Sequence, residues 1–471
     1  MKLYETLAAD IAASIYSGVL RAGEKLPSVR EATAHRGVSA STVFQAYYLL
    51  EAQGLVRARD RSGYYVAHGA RALPPEADTP SQPTEDAASV TINDLVFEVL
   101  ESTMRRDVVQ LGSAFPSPLL FPHDRLSQSI SSATRHLDPL TILDELAPGH
   151  TGLRRQIALR YLASGVHVDT DDIVITNGAL EALNLCLGVM TQPGDKILIE
   201  TPTFYAALQA LETHHLEAVE VPTHPREGIQ LDALEQAIKR HQPKACCLMT
   251  TFQNPLGSLM SDEKKQALVE LLTRYNIPLI EDDVYNELYF DSHRPALTKR
   301  FDNSGIVMHC SSFSKTLAPG YRIGWVVAER YTRAITRRKL TTTLACPIPT
   351  QIAIAHYLEK GGYDKHLRHL RKTLQTQQTQ FAQAIGHYFP PGTRATRPKG
   401  GYFLWVELPL NANALHIHQH ALSLGISVAP GPIFSAKQSF QNCLRLNYGH
   451  SWDDRTEAAV ATLGKLSAMG A

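Results

Sequence analysis

One lysine stands among small, hydroxylated and apolar residues in the segment SSFSKTLAPGYRIGW, residues 311–325. Lys315 follows a strand-like apolar run that starts at Ile306. We therefore expect it where the chain leaves a β-sheet, the edge at which open α/β sheets bind ligands. A lysine amine held among such neighbours can lose its proton and attack a carbonyl carbon to form a Schiff base. The simpler alternative is a surface loop whose two cations, Lys315 and Arg322, are solvated.

A carbonyl compound that suits this lysine is pyridoxal phosphate, which requires several further partners. Its phosphate needs hydrogen-bond donors. The stretch DIVITNGALEALNLCL predicts a strand, a turn at Asn177 and a helix whose first amides are free to bind an anion. The hydroxyls of Ser312 and Ser314 and the guanidinium of Arg322 would add further donors. These residues together predict a phosphate site beside the lysine.

The cofactor ring needs an anion at its nitrogen, hydrogen-bond partners at its 3-hydroxyl, and a flat neighbour. Asp282 ends the apolar run IPLIEDD and could keep the ring nitrogen protonated. Tyr285, and Asn254 in the turn FQNPLG, are candidates for the hydroxyl, and Phe204 follows another strand-like run as a candidate for stacking. Each feature alone has an ordinary explanation as a solvated strand end, a turn or a core aromatic. In chain order, however, successive strand ends present each residue type that the cofactor requires.

The composition is that of an ordinary globular protein and singles out no partner. Among 471 residues, 44% are hydrophobic and 20% charged, and 46 Lys+Arg balance 46 Asp+Glu, so any nucleic-acid surface must be local. No apolar run approaches the ~20 residues of a membrane helix, and the amphipathic, acid-containing start does not read as a signal peptide. The six cysteines lie among apolar neighbours without metal-ligand spacing. We therefore expect a cytoplasmic protein with buried thiols, no membrane segment and no metal site.

A change of composition divides the chain. Residues 72–94 hold four prolines and five acidic residues but no lysine or arginine. This composition predicts a stiff, charge-extended linker that would span up to ~60 Å. We place a head at residues 1–70, the linker at 71–94 and a body at 95–471. Apolar strand-like runs alternate with helical patterns in the body, as in an α/β domain.

Three helices and a hairpin are predicted for the head. An apolar stripe through Leu3, Leu7, Ile11 and Ile15 predicts a helix that ends at Gly18. LPSVREATAHRG has the N-cap serine and the glutamate three residues later that form a capping box, and VSASTVFQAYYLLEAQG gives a third helix. The second and third helices, joined by a tight turn, form a helix-turn-helix, and LVRARDRSGYYVA adds a two-stranded wing.

Basic and polar side chains cluster where such a head would meet DNA. Up to the end of the wing, the chain carries eight lysine and arginine residues against six acidic residues, a modest excess. Arg30 lies at the start of the second helix, and Arg59 and Arg61 lie in the wing, where cations can neutralise phosphates. Thr42 and Gln45, opposite the apolar face of the third helix, could contact phosphates or base edges. The alternative is a winged helix that binds protein instead of DNA.

The head resembles the winged-helix domain of the GntR family over its full length, from GVLRAGEKLPSVREATAHRGVSASTVFQAYYLLEAQGLV to SGYYV. In that family the arginine after LPS, the hydroxyl residues that open the recognition helix and the glycine of the wing lie at the DNA. The resemblance implies the same position for Arg30, Ser39, Ser41, Thr42 and Gly63. One position departs from the family, because Ala40 stands where an arginine is common. One phosphate or base contact is therefore either missing or supplied by another residue.

The body resembles the fold-type I aminotransferases over roughly residues 105–468, on the motifs NPLG, EDDVY, SFSKTLAPGYRIGW and GGYFLWVELP. The resemblance implies that Lys315 is the Schiff-base lysine and that Asp282 pairs with the pyridine nitrogen. It also implies roles for a further set of residues: Tyr285 and Asn254 at the 3-hydroxyl, Phe204 on the ring, Ser312, Arg322 and the amides of Ala179 and Leu180 at the phosphate, and Arg445 at the carboxylate of a substrate or effector.

Two positions fit that family less closely. Where its phosphate turn usually carries a hydroxyl or glutamine side chain, this chain has Ala179 and Leu180. Upstream of PGHTGLRRQIALRYL, the family usually has a tyrosine that reaches into the partner subunit's site, whereas this chain reads LTILDEL. The resemblance therefore predicts the phosphate contacts and the substrate chemistry less closely than it predicts the role of Lys315.

A GntR-type head joined to an aminotransferase-like body is the organisation of the MocR-type bacterial regulators, and the wording is nearest to their YdcR-like members. The resemblance implies a homodimer that binds pyridoxal phosphate, senses a small amino compound or the cofactor itself, and reports to double-stranded operator DNA. The alternative is a working aminotransferase that carries a DNA-binding appendage. A winged helix adds nothing to catalysis, which favours the regulator, although likeness of fold alone does not decide function.

Overall fold

The structure is a computed structural model, and it describes residues 2–59, 62–67, 73–91, 94–135, 137–141 and 146–469. It has the predicted order of a small helical head, a connecting segment and a large α/β body. The predicted domain boundaries at residues 70 and 94 remain expectations.

The head contains the three helices and the hairpin that its sequence predicts. These elements are α1 (Leu3–Tyr16), α2 (Val29–Arg36), α3 (Ala40–Ala52), β1 (Val56–Arg59) and β2 (Gly63–Val66). Strands β1 and β2 pair antiparallel, with Val56 opposite Val66. Their core is formed by the apolar face of α3 against α1, with Val43, Ala46 and Leu50 fully buried.

Side-chain caps fix the starts of α2 and α3. Ser28 accepts a hydrogen bond from the amide of Glu31, whose carboxylate accepts from the amide of Ser28, so the predicted capping box is confirmed. Ser39 caps α3 in the same way through the amide of Thr42. The predicted apolar stripe of α1 is confirmed from Leu7 onward, but Leu3 is exposed because it lies in the first turn, beyond the core.

The segment predicted as an extended linker is instead fixed to the body. Near its start, Glu76 and Asp78 form ion pairs with Arg226 at 3.1 and 3.2 Å. In its middle, the amide of Ser81 donates to the carbonyl of Thr223 at 3.1 Å. At its end, residues 88–89 form strand β3 (Ala88–Ser89), which joins the edge of the main sheet. We call residues 74–89 the strap.

The expectation that like charges extend this segment is therefore wrong for the strap. Its acidic side chains meet cations of the body, so their mutual repulsion is neutralised. Glu85 and Asp86 pair with Arg240, and Lys437 donates to the carbonyl of Asp86. Composition alone could not reveal this arrangement, because the matching cations lie more than a hundred residues further along the chain.

The body is built on a large twisted sheet with the strand order β3-β7-β6-β9-β10-β11-β12-β5. Its remaining strands are β5 (Ile173–Thr176), β6 (Lys196–Thr201), β7 (Glu217–His224), β9 (Ala245–Leu248), β10 (Leu279–Asp282), β11 (Val307–Ser312) and β12 (Gly324–Val327), and β8 (Gly228–Ile229) pairs with β7. Neighbouring strands from β7 to β11 are parallel, whereas β12 runs antiparallel to both β11 and β5. The carboxyl ends of the parallel strands therefore meet at one edge.

Helices cover both faces of this sheet and explain the apolar runs of its strands. Helices within this layer are α6 (Thr151–Ala163), α7 (Ala179–Met190), α8 (Tyr205–Thr213), α9 (Leu231–His241), α10 (Asp262–Tyr275), α11 (Thr332–Thr342) and α12 (Ile348–Glu359), and they are preceded by α4 (Asp94–Ser102), β4 (Val109–Gln110) and α5 (His123–Arg135). One apolar core lies under α7 and α8 and another under α9 and α10. Both cores hold the strands rigidly in register.

A smaller subdomain packs beside the carboxyl edge of the sheet. It contains α13 (Gly362–Tyr388), β13 (Arg394–Ala395), β14 (Phe403–Glu407), α14 (Ala414–Ser423), β15 (Ile426–Ser427), β16 (Ala429–Pro430), β17 (Cys443–Asn447) and α15 (Asp454–Met469). Strands β13, β14, β17 and β16 form an antiparallel sheet, which brings residues of β17 toward the strand ends of the main sheet.

All six cysteines are buried free thiols, as their apolar neighbours predict. Among the described residues, no helix combines the length and apolarity needed to cross a membrane.

Candidate cofactor site and DNA-facing surface

The carboxyl ends of four parallel strands of the main sheet bring the predicted cofactor residues together. Asn177 follows β5, Phe204 follows β6, Asp282 ends β10 and Lys315 follows β11. Because these strands run in the same direction in one sheet, their carboxyl ends lie at the same edge, and residues separated by more than a hundred positions meet there. The sequence order of the candidates therefore becomes a spatial cluster.

Lys315 is buried at this edge, with 8% of its surface exposed. Its Nζ donates to the carbonyl of Ala114 at 2.8 Å and lies 3.7 Å from the centre of the Phe115 ring. The pKa of Lys315 is lowered to about 7, mainly by burial and also by the charges of Arg445 and Arg322, while the charge of Asp282 opposes the change. A lysine in this environment has an appreciable fraction of free, nucleophilic amine near neutral pH.

The carboxylate of Asp282 lies in the same buried region, and its Oδ1 has no hydrogen-bond partner in the described structure. The pKa of Asp282 is raised to about 7, mainly by burial and then by the charge of Asp283, while the charge of Lys315 opposes the change. A buried acceptor without a donor is uncommon in a folded protein and calls for a partner. A protonated pyridine nitrogen is a donor of the required kind.

Two further predicted residues also present unsatisfied polar atoms. The hydroxyl of Tyr285 and the Nδ2 of Asn254 are both buried without a partner among the described residues. Burial and the charge of Asp282 raise the pKa of Tyr285, so its hydroxyl stays protonated. Together with Asp282, these groups offer a donor and acceptor set for the polar edge of an aromatic ring. The residues present therefore fit pyridoxal phosphate.

The phosphate end of the predicted site is a turn held by an arginine. Arg322 donates to the carbonyl of Asn177 at 3.1 Å and to the hydroxyl of Ser314 at 3.3 Å, and the amide of Ser314 donates to Ser312 at 3.4 Å. Gly178 has a φ of +88°, and a Cβ built there would lie 2.4 Å from the Arg322 guanidinium. The positive φ favours glycine, and any other residue would also displace the end of the Arg322 side chain.

Helix α7 begins at Ala179, directly after this turn, so the amides of Ala179 and Leu180 lie in its first turn without intrahelical acceptors. The side chain of Leu180 is 44% exposed. The structure thus brings the two predicted backbone donors next to Arg322, and it places no side-chain hydroxyl at either position. The phosphate site would depend on backbone amides, two serines and one arginine.

Phe204 is the N-cap of α8, and its ring centre lies 4.6 Å from that of Tyr205. It is half-buried and packs against the apolar cores on either side of the site. This position at the strand end agrees with a ring that covers one face of a planar cofactor.

Arg445 on β17 is completely buried beside the same site. Its guanidinium donates to Oδ1 of Asn254 at 3.1 Å and to the carbonyl of Gly112. The rings of Phe403 and Phe434 lie 4.4 and 5.1 Å from its central carbon. Burial lowers the pKa of Arg445. Because its Nε has no partner in the described structure, the guanidinium retains capacity for a carboxylate.

One segment without a sequence signal for the site, LGSAFPSPLLFP, lies between Lys315 and Arg445. The carbonyl of Gly112 accepts from Arg445, and that of Ala114 accepts from both Lys315 and Tyr402. The contacts are made by backbone oxygens, which carry no side-chain signal. Its density of glycine and proline was the one available indication of an irregular, functional segment.

The predicted DNA-facing residues lie on one side of the head. Ser39 caps α3, and its hydroxyl contacts those of Ser41 and Thr42 at 2.9 and 2.8 Å. Ser41 and Gln45 are exposed, and Arg30 is exposed near the start of α2. Thr42 and Gln45 line a cleft between the head and the body. The structure therefore turns part of the predicted recognition surface of α3 toward the body, and Thr42 and Gln45 would have to leave this cleft to enter a major groove.

The structure describes the two strands of the wing but not residues 60 and 61 between them. Arg59 is exposed, and its guanidinium lies 4.3 Å from the centre of the Tyr65 ring, which holds it on the outer face of the hairpin. Gly63 has a φ of +101°, a conformation that other residues rarely adopt. Arg61, which the sequence also predicts at the DNA, lies outside the described residues.

Among the described residues, no group of three or more histidine, cysteine or acidic side chains is arranged to hold a metal ion.

Comparisons with known proteins agree with this division of the chain. Residues 3–66 match the model of the bacterial regulatory proteins of the gntR family, and residues 146–461 match the aminotransferase class I and II model. The uncharacterized HTH-type transcriptional regulator YdcR of Escherichia coli is 44% identical over 99% of both chains. A second such regulator of that organism, YjiR, is 36% identical over 99% of this chain and 98% of its own.

Solved structures are similar to the body. A kynurenine aminotransferase from Pyrococcus horikoshii has a TM-score of 0.75 and 29% identity, covering 80% of this chain and 95% of its own. LysN, an α-aminoadipate aminotransferase from Thermus thermophilus, has a TM-score of 0.73 and 29% identity, covering 80% and 95%. The predicted winged helix-turn-helix and fold-type I body are therefore confirmed. The chain belongs to the GntR family of bacterial regulatory proteins, in the group whose body has the fold of the class I and II aminotransferases.

Proposed function

We propose that this protein is a transcriptional regulator of the MocR type, in which pyridoxal phosphate bound at Lys315 makes the body responsive to a small amino compound. The observation that carries the proposal is the set of unsatisfied buried polar atoms on Asp282, Tyr285, Asn254 and Arg445, gathered around a buried lysine. A body that had lost its cofactor would have no reason to retain these costly groups. Through the winged helix, this response would change binding to operator DNA.

Each residue has a distinct task in this proposal. The amine of Lys315 supplies the nucleophile, Asp282 holds a proton at the ring nitrogen, and Tyr285 and Asn254 bind the 3-hydroxyl. Bound pyridoxal phosphate supplies an electron-withdrawing ring and a carbonyl that exchanges between amines. The amides of α7, with Ser312, Ser314 and Arg322, anchor the phosphate, and Phe204 covers the ring.

Arg445 defines the effector as an amino compound that carries a carboxylate. Its buried guanidinium is suited to bind a carboxylate, and in this structure it donates to the neutral oxygens of Asn254 and Gly112. A carboxylate is a stronger acceptor than either oxygen and would replace them. The amino group of the same molecule would then lie toward Lys315.

We also propose that the protein acts in the cytoplasm as a homodimer. Proteins with the class I and II aminotransferase fold usually form dimers. Two heads on one dimer raise the effective concentration of the second head at an operator with two half-sites. The buried free thiols are consistent with a reducing compartment.

The test combines two measurements on the purified full-length protein. After addition of pyridoxal phosphate, a visible band that borohydride discharges should appear, and the reduced adduct should map to Lys315. Lys315→Ala should abolish this adduct, whereas Lys365→Ala, an exposed lysine on α13, should not change it.

The second measurement is affinity for the protein's own promoter region, with and without the cofactor and a panel of α-amino acids. We expect affinity well above that for unrelated DNA and a change when both small molecules are present. A reducible adduct on another lysine, or equal affinity for any DNA, would contradict the proposal. Sustained turnover of an amino acid with a 2-oxo acid but no specific DNA binding would favour the alternative, a working aminotransferase.

A further inference from the structure

A chain of four buried polar groups lies on the face of the sheet behind the cofactor site. The indole of Trp325 donates to the hydroxyl of Tyr161 at 2.9 Å. That hydroxyl lies 2.6 Å from Nδ1 of His309, and Nε2 of His309 lies 2.9 Å from Oδ2 of Asp283. All four side chains are buried or nearly so. We call Trp325, Tyr161, His309 and Asp283 the relay.

The direction of the hydrogen bonds in the relay follows from its first member. An indole N–H can only donate, so Tyr161 accepts from Trp325 and has its own proton free for His309. Burial raises the pKa of Tyr161, so that proton stays on the hydroxyl. Nδ1 of His309 must therefore accept, which leaves the proton of a neutral imidazole on Nε2, where it points at Asp283.

The relay fixes the residue that directly follows Asp282. The amide of Asp283 donates to the carbonyl of Cys310 at 2.8 Å, and the hydroxyl of Ser311 donates to the carbonyl of Asp283 at 2.8 Å. With the bond from His309, the side chain and the backbone of Asp283 are both tied to β11. Asp282 is paired with Cys310 in the same register, so these bonds fix the backbone from which its carboxylate projects.

The side chains of consecutive strand residues point to opposite faces, which separates the two acids. Asp282 points toward Lys315 and the cofactor site, whereas Asp283 points back into the relay. The charge on Asp283 is a principal contribution, after burial, to the raised pKa of Asp282. A carboxylate with a raised pKa is a better proton acceptor and binds the proton of a pyridine nitrogen more firmly.

We propose that His309 and Tyr161 are positioning residues for the cofactor, which act through Asp283 to orient Asp282 and to strengthen its hold on the ring-nitrogen proton. The inference rests on the proposed function, because the ring belongs to bound pyridoxal phosphate. None of the relay residues needs to touch the cofactor or the effector for this role.

Other charged groups around the relay must be considered in any pH measurement. They come from helix α6, from strand β10 and from the segment after it, and from the loop after β11: Arg160, Glu281, Asp282, Glu287, Arg294 and Lys315. Glu287 is paired with Arg160 at 2.6 Å and with Arg294 at 3.3 Å. Since all the variants described next leave these groups in place, a difference between the variants reports on the relay.

The decisive measurement is the pH midpoint at which the visible band of bound pyridoxal phosphate changes. His309→Leu removes the donor that orients Asp283, so the backbone that carries Asp282 would be held less firmly and its carboxylate would bind the ring nitrogen more weakly. His309→Gln keeps an N–H donor of similar reach. If Asp282 binds the proton of the ring nitrogen more weakly, the ring carries less positive charge. The nitrogen of Lys315 that is bonded to the cofactor would then stay protonated to higher pH. We expect His309→Leu and Tyr161→Phe to raise the midpoint by about half a pH unit or more. We expect His309→Gln to stay near the unmodified protein.

Tyr357→Phe is the matched control, because Tyr357 is a buried tyrosine of the same apolar core and is not part of the relay. Its midpoint should not move. A His309→Leu protein that binds the cofactor with an unchanged midpoint would overturn the proposal. Absence of any reducible adduct in the unmodified protein would instead refute the proposed function.

A second measurement needs no variant that is at risk of misfolding. In ¹⁵N-histidine-labelled protein, the signals of His309, assigned by their loss in His309→Gln, should show a protonated Nε2 and an unprotonated Nδ1. The opposite tautomer, or a charged imidazole at neutral pH, would contradict the relay even if the cofactor did not bind.

Discussion

At the scale of single residues, the environment of Lys315 has a measurable consequence. Because burial lowers the pKa of Lys315 to about 7, the reactive free amine grows from a small to a dominant fraction as the pH rises through neutrality. We expect the rate at which pyridoxal phosphate binds to the cofactor-free protein to increase about tenfold between pH 6 and pH 8, then to level off. Stopped-flow absorbance would measure it.

The charge of Asp282 provides the control for this pH profile. Asp282 raises the pKa of Lys315, so Asp282→Asn should move the midpoint of the rate profile to lower pH. A rate that continues to rise in proportion to hydroxide above pH 9 would indicate an ordinary, unperturbed lysine and contradict the assignment.

Asp282 is predicted to affect the reactivity of bound pyridoxal phosphate more than the affinity of the protein for it. Asp282→Ala should still hold pyridoxal phosphate, because in the proposed site Arg322, Ser314 and the first amides of α7 would bind the phosphate without Asp282. It should, however, exchange with amino acids at least tenfold more slowly, since the ring nitrogen loses its anion. Equilibrium dialysis measures the first property and spectral change on addition of an amino acid the second. Unchanged exchange would remove Asp282 from this role.

What the sequence predicts at this scale depends on whether a residue carries its own local signal. Lys315, Asp282 and Arg322 stand in short motifs at the ends of recognisable strands, and the structure brings them together. The bonds of His309 with Tyr161 and of Lys315 with Ala114 join residues 148 and 201 positions apart. Such pairs leave no periodicity or spacing in the sequence, so only the folded chain reveals them.

At the scale of secondary-structure elements, the head was predictable because its signals are local. The capping box of α2 and the buried face of α3 follow from spacings of three and four residues. The strap was not predictable for the opposite reason. Its prolines and acids have the composition of a free linker, and its partners, including Arg226 and Arg240, belong to distant elements.

Arg30 should bind a DNA phosphate from the start of α2. It is exposed there and makes no ion pair among the described residues. Arg30→Ala should weaken operator binding and lower the slope of log affinity against log salt by roughly one unit, because one fewer counterion is released. Titrations at several salt concentrations measure both quantities.

Arg36→Ala is the matched control on the same helix. Arg36 is already paired with Asp10 of α1 at 3.1 Å, so its removal should change the salt slope much less. Equal effects of the two substitutions, or no effect of Arg30→Ala, would exclude a specific phosphate contact for Arg30.

At the scale of the whole molecule, the strap limits how far each head can move from its own body. The carbonyl of Pro74 accepts from Arg397 at 3.2 Å, so only residues 68–73 separate the end of the described wing, Ala67, from the first anchored residue. Six residues span at most ~20 Å, compared with the ~60 Å of the whole segment if it were free. In a dimer, the two heads would therefore meet DNA at a nearly fixed separation.

This restriction predicts a strict requirement for half-site spacing in the operator. Five base pairs inserted between the half-sites turn the second one to the opposite face of the duplex, beyond the reach of its head. We expect affinity to fall to about that of a single half-site, and ten inserted base pairs to restore part of it. Glu76→Lys and Asp78→Lys replace both ion pairs to Arg226 by repulsion and should weaken the start of the strap, although its bonds with Arg397 and Ala395 remain, so binding should become more tolerant of the five-base-pair insertion.

The matched control, Glu101→Lys with Glu359→Lys, reverses the charge of two exposed acidic residues outside the strap. It makes the same change in net charge. That variant should keep the strict spacing, so any gain in affinity from added positive charge is separated from a gain in reach. Sedimentation would establish that each variant remains a dimer. If the unmodified protein bound the five-base-pair insertion as tightly as the natural operator, or were a monomer at full affinity, the strap would not set the position of the heads.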